Sequence, residues 1–174
     1  MSKTGWVVGG LALGAIGFFA LSKRQHHLTP FIRGLYGRIA KHFPFKSPPL
    51  IEDRSVANAE SDGQTIRVNP EWVARTLAEG CNDEKCTWSF VTGVLAHELG
   101  HHAHRVEGHA IGGHAEEIRS DEIAGQVLAL EGIGREDFGR ILDKLSGHGS
   151  PSHPDGWSRR QAIERGYHAV NLFA

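Results

Sequence analysis

Hydrophobic and polar positions divide the chain into stretches of different character. Residues 4–22 (TGWVVGGLALGAIGFFALS) carry no formal charge and read as one apolar run, just long enough for a membrane-spanning helix. Trp6 sits where an interfacial aromatic would, and no small-x-small cleavage site follows the run, which favours an anchor over a removable signal peptide. In residues 31–43, Phe31, Ile32, Leu35, Tyr36, Ile39 and Phe43 share a helical face while Arg33, Arg38 and Lys41 lie elsewhere. Such a helix can lie on an anionic membrane surface or pack on a folded body, and both readings stand. Pro44, Pro48 and Pro49 then mark an extended linker.

Beyond the linker the periodicity changes repeatedly. Thr65 to Val68 alternates as a strand, and Asp62-Gly63 before it marks a turn, giving a candidate hairpin with the 55–61 segment. Asn69-Pro70 is a helix start, and the helix is expected to run to about Ala78, with Gly80 past its end. Residues 87–105 read as a central helix, with Phe90, Val91, Val94, Leu95 and Leu99 at mixed spacings of three and four. Further helices are expected from about His114 to Leu130, over 135–147, and from Trp157 to Val170. The sum is an α+β domain dominated by helices, with an N-terminal membrane helix before it. The expected organisation is an anchor at 1–24, a basic amphipathic helix and linker at 25–49, and a folded domain at 50–174.

Charge sharpens this division. Residues 1–46 hold seven Lys/Arg and no acidic residue, whereas the remainder holds all 20 acidic residues. The basic flank after the apolar run places the body on the cytoplasmic side of a single-pass protein. Gly5, Gly9, Gly10 and Gly14 would allow weak self-association of the span. An acidic body argues against nucleic acid as a partner. Cys81 and Cys86 form a Cys-x4-Cys pair that fits either a local disulfide or two free thiols.

The chemistry concentrates in HELGH at 97–101. Residues four apart share a helix face, so His97 and His101 can reach one ion. Glu98 stands beside that ion and can take a proton from its water. One zinc per chain is the expected cofactor. A catalytic zinc needs a third protein ligand. His104, Glu107, His109, His114, Glu116 and Glu117 follow. A His-x-x-Gly-x-x-His continuation fails, because positions 104 and 107 are His and Glu. Glu117 is preferred, since Asp121 lies one turn later and could orient a ligand imidazole. Glu107 and Glu116 stay open.

These residues resemble the gluzincin metallopeptidases, and more closely the membrane-linked branch that includes the heat-shock protease HtpX and the CAAX prenyl endopeptidases. The resemblance rests on HELGH, on Glu117-Ile118-Arg119-Ser120-Asp121, on Gly125, on Ser152-His153-Pro154 with Arg159, and on Asn58-Ala59 before a strand. It covers about residues 50–165 and implies a minimal zincin domain with an active-site helix and an edge hairpin. It also implies peptide or unfolded-protein substrates and a role in protein quality control. Only 15 residues separate His101 and Glu117, and one span is present, so substrate does not carry over. His153 is the candidate for stabilising an oxyanion, with a plain surface loop histidine as the competing reading. Arg159 is expected to anchor the His153 loop by pairing with a carboxylate. The rival function is a non-catalytic zinc domain that captures unfolded or membrane proteins.

Overall fold

The computed structural model describes residues 29–108 and 112–171. The anchor expected at 1–24, with its glycine spacings, and the candidate ligand His109 lie outside the described residues. Among the described residues no helix is long and apolar enough to cross a membrane.

The described chain is a mainly helical α+β structure, with six α-helices and a small mixed sheet. Helix α1 spans 29–39 and runs into a 3-10 turn at Ala40–His42. Strands β1 (Leu50–Glu52), β2 (Ala59–Ser61) and β3 (Ile66–Val68) follow, then α2 (Pro70–Gly80), α3 (Glu84–Val106), α4 (Gly113–Leu130), α5 (Glu136–Ser146) and α6 (Gly156–Asn171).

The apolar face of α1 is covered by the rest of the protein. Ile32 and Ile39 are fully buried and Leu35 nearly so, all within the main hydrophobic cluster. Arg38 stacks on Trp88 and pairs with Glu131, and Arg33 pairs with Glu52 at 3.1 Å. Of the two readings held for residues 31–43, the structure shows the face packed on the body. The packed unit therefore takes in this helix as well as the residues from 50 onward.

The sheet has the order β1-β3-β2, with β3 parallel to β1 and antiparallel to β2. The expected hairpin forms at Asp62-Gly63. Gly63 takes φ +86, and the Asp62 carboxylate accepts from the N–H groups of Gln64 and Thr65. Ile66 and Val68 point inward while Arg67 stays at the surface, as the alternation predicts. Strand β1 was not predicted, because its three residues leave a proline-rich segment to pair with a strand distant in sequence.

Two helix boundaries differ from expectation. Helix α2 is capped by the Asn69 side chain, as predicted, but continues to Gly80 and stops at an extended Cys81. Helix α3 begins at Glu84, because the Asp83 side chain accepts from Cys86 N–H and caps it early. A disulfide joins Cys81 to Cys86, with Cα atoms 5.4 Å apart, and ties the two helices at this corner. Helix α3 is buried on most sides, so it forms the centre of the molecule. Helix α4 packs on one flank of α3, and α6 lies against α4. The approach is close: a Cβ on Gly100 would meet Ser120 Cα at 3.0 Å, and side chains at Gly125 or Gly166 would strike the backbone of the partner helix.

Candidate metal centre

His97 and His101 stand one turn apart on α3, their rings nearly perpendicular and 4.7 Å between centroids. Their Nε2 atoms face each other at 3.0 Å. Glu117 enters from the first turns of α4. Its Oε1 lies 3.2 Å from His101 Nε2 and its Oε2 3.5 Å from His97 Nε2. One ligand atom from each of the three residues falls within 4.8 Å of the others, so the group could hold a metal ion.

The surroundings fix how the ligands present themselves. His97 Nδ1 bonds Asp121 Oδ1 at 2.8 Å, and His101 Nδ1 bonds Glu116 Oε1 at 2.9 Å. Ionised carboxylates only accept, so each imidazole donates from Nδ1, and in the neutral ring Nε2 keeps a lone pair that faces inward. Two lone pairs and a carboxylate then converge on one point, an arrangement that suits a cation. Glu117 Oε2 is buried and makes only long contacts, to His97 Nε2 at 3.5 Å and Arg159 Nη2 at 3.4 Å among the described residues, which fits the same reading. In the metal-free chain the same carboxylates favour a protonated His97, so a bound cation would take the place of a proton. Burial works against a charged His97, but the Asp121 carboxylate, with help from Glu117, outweighs it and pushes the pKa up to about 9. Burial alone would raise Glu117, yet the hydrogen bonds and charges of His101 and His97 hold its carboxyl far below the usual range. The pocket favours positive charge where the three side chains meet.

Glu98 follows His97, is 6% exposed and lines the same cleft. Burial pushes its carboxyl up, against the lowering effect of the two imidazoles. A carboxylate tuned upward is suited to exchange protons near neutral pH.

Arg159 of α6 grips Asp121 with two bonds, Nε to Oδ2 at 2.7 Å and Nη2 to Oδ1 at 2.9 Å. Its Nη2 also approaches Glu117 Oε2 at 3.4 Å, and Nη1 reaches Ser146 Oγ at 3.4 Å. The pairing with a carboxylate was expected; that carboxylate belongs to α4 and is the one that holds His97. His153 sits on the 147–155 loop, with its side chain 51% exposed and Nε2 3.8 Å from Glu117 Oε1. Ser152 Oγ lies 2.8 Å from its Nδ1. The loop is itself tied down, since His114 Nε2 donates to the Ser150 carbonyl at 2.8 Å.

The sequence placed Glu117 and Asp121 on one face of α4 but missed the work of Glu116. That carboxylate orients His101 and also accepts from Gly112 N–H at 2.9 Å. The available signal was its neighbour: adjacent residues on a helix differ by about 100°, so both can face α3 when the helix axis lies close. His104 is buried, its Nε2 without a hydrogen-bond partner among the described residues, and Glu107 lies at the end of α3. Neither joins His97, His101 and Glu117 among the described residues.

The centre opens into a cleft of about 730 Å³ bordered by β2 on one side and the 147–155 loop on the other. Comparison with protein-family models, with curated proteins and with solved structures finds no match for this chain.

Proposed function

We propose that this chain is a membrane-anchored zinc metalloendopeptidase that cuts peptides or unfolded proteins, with residues 1–24 as the anchor. The observation that carries the proposal is Glu98. It stands buried beside three convergent metal-ligand atoms in an open cleft, and metal binding alone needs no such residue. The resemblance of the HELGH and Glu117–Asp121 segments to gluzincins supports the same reading.

His97, His101 and Glu117 would hold the zinc. When bound, the ion supplies Lewis acidity toward a peptide carbonyl and a water. Substrate lies extended against the free edge of β2, where main-chain groups can pair with it. Glu98 accepts the proton of the attacking water and returns it to the leaving amine. His153, at the mouth and steadied by Ser152, can donate to the developing oxyanion. Asp121 and Glu116 keep both imidazoles donating from Nδ1, and Arg159 holds Asp121 and Glu117 in place.

The test is casein proteolysis by the full-length chain, with zinc content measured on the same sample. Wild type is compared with Glu98→Gln, and chelation followed by zinc re-addition is the control. Cleavage by wild type alone, with one zinc in both proteins, supports the proposal. Zinc in both proteins with cleavage by neither turns the reading toward a zinc-dependent capture domain. Absence of zinc from both removes the central assignment.

A further inference from the structure

The ligand-bearing face of α3 continues past the ligands in both directions. Phe90, Val94, His97, Glu98, His101 and Arg105 recur at intervals of three and four, share one face, and all line the cleft. The chemistry changes along this stripe. At its N-terminal end Val94 is joined by Trp72 of α2 and by Leu142 and Leu145 of α5, an apolar recess whose outer member, Leu145, is 50% exposed. At its C-terminal end stands the guanidinium of Arg105. His101 to Arg105 spans about 6 Å of helix, the reach of about two residues of extended chain.

Strand β2 sets the direction in which a peptide enters. The pairs Asp62–Thr65 and Asn58–Asn69 carry ladder bonds, so by alternation Glu60–Arg67 does too. Ala59 and Ser61 therefore turn their N–H and C=O groups away from β3 and offer them to the free edge. Arg105 Nη1 donates to the Ser61 carbonyl and ends that edge. The opposite end of β2 leads through Asn58 and Asn69 to Trp72, which packs on Phe90 at 5.6 Å. So β2 runs alongside α3 in the same sense. A segment added antiparallel to β2, the more stable pairing, has its N-terminal part at Arg105 and its C-terminal part at the apolar recess.

We infer that the cleft selects peptides with an acidic side chain about two residues before the scissile bond and a large apolar side chain just after it, and that Arg105 sets the acidic preference. This rests on the peptidase reading for the position of the scissile bond. A guanidinium has five donors, and among the described residues one of them is seen engaged, by the Ser61 carbonyl. Glu116, which lines the same end of the cleft and feels the charge of Arg105, already accepts from His101 and the Gly112 N–H.

Binding, not turnover, tests the inference. The full-length Glu98→Gln chain, loaded with zinc, is titrated into end-blocked fluorescein octapeptides that differ only in Glu, Gln or Lys at the position facing Arg105. Fluorescence anisotropy is expected to show the Glu peptide bound about fivefold tighter than the Gln peptide, as for an exposed ion pair. Arg105→Glu, added to this chain, should reverse the order in favour of Lys and leave the apolar preference unchanged. Arg105→Gln keeps a donor for Ser61 and should erase the charge preference at full zinc content, which separates recognition from folding. Equal binding of Glu and Lys peptides, a Glu preference that survives Arg105→Glu, or no binding at all overturns the inference. Tighter binding of a peptide with the apolar residue first and the acidic residue last overturns the direction of entry. Wild-type cleavage of the same peptides separates the two claims. Cleavage without charge preference leaves the peptidase reading standing and removes the role of Arg105; charge-dependent binding without cleavage does the reverse.

Discussion

Replacing Asp121 by Asn probes the point on which the ligand geometry depends. Asp121 is fully buried and accepts three bonds, from His97 Nδ1 at 2.8 Å and from Arg159 Nε and Nη2 at 2.7 and 2.9 Å. Asn keeps the shape but offers one oxygen and turns an amide N–H₂ toward donors. Arg159, whose side chain is 8% exposed, is left with much of its charge unpaired. Breaking one side of a buried pair costs about 3–5 kcal/mol. For a chain of this size that corresponds to a fall in Tm of about 10 °C. His97 also loses its orientation, which lowers metal affinity about 10- to 100-fold.

The measurement is thermal unfolding of the chelated chain, so that bound metal does not add to stability, followed by zinc competition against a chromophoric chelator. Adding Arg159→Met to Asp121→Asn removes the stranded charge and should recover about 1–2 kcal/mol, while zinc affinity stays low. A loss below about 1 kcal/mol for Asp121→Asn, with zinc affinity unchanged, would refute the reasoning. So would a double variant less stable than the single one, because the cost would then not lie in an uncompensated Arg159.

Other outcomes follow from the same geometry. In the metal-free chain His97 titrates at about 9 against an ordinary 6.5, so the stability it contributes is complete below 6.5 and is lost as pH rises toward 9; Tm of the chelated protein should fall across that window, and a flat profile, or one unchanged in His97→Asn, contradicts the assignment. Gly100→Ala sets a Cβ 3.0 Å from Ser120 Cα and should push α3 from α4 at a cost of about 1–3 kcal/mol, with zinc affinity falling in a competition titration; unchanged affinity would mean the helices need not meet there. Replacing Cys81 and Cys86 by Ser opens a short covalent loop and should lower stability by about 2 kcal/mol in urea unfolding. Disulfides persist in oxidising compartments, so alkylation of intact cells without reductant should leave this pair unlabelled, whereas labelling of both thiols would support the cytoplasmic side expected from the charge bias.

What the sequence disclosed was governed by local rules. The spacing in HELGH, the step from Glu117 to Asp121, the Asp62-Gly63 turn and the Asn69-Pro70 cap all act within a few residues, and each is found where periodicity puts it. What stayed hidden depends on partners distant in sequence. Strand β1 exists because β3 is available beside it. The stripe on α1 suits a lipid surface and a protein core equally, and only the location of Ile32, Leu35 and Ile39 in the core separates the two. Glu116 and Glu117 are alike until α4 is placed against α3. The Cys-x4-Cys spacing could not choose between thiols and a disulfide; the cap at Asp83 turns the chain so that Cys86 faces Cys81.

The site draws its rigidity from helices. Each ligand imidazole comes from α3, each carboxylate that orients it comes from α4, and the arginine that holds one of those carboxylates comes from α6. Glycines mark the two interfaces this chain of contacts must cross, Gly100 between α3 and α4, and Gly125 with Gly166 between α4 and α6. Side chains at those positions would separate the helices and draw the carboxylates off the imidazoles. The polar network is therefore only as tight as the backbone packing allows, and the small residues beside it act on metal affinity without touching the metal. The mouth is different, because His153 and Ser150 sit on a loop closed by its own bonds, Ser150 N–H to the His153 carbonyl and Gly156 N–H to the Gly147 carbonyl, and joined to α4 by His114. Under the proposed peptidase reading, ligands set on helices below a loop would suit a site that keeps a metal while it admits and releases an extended chain.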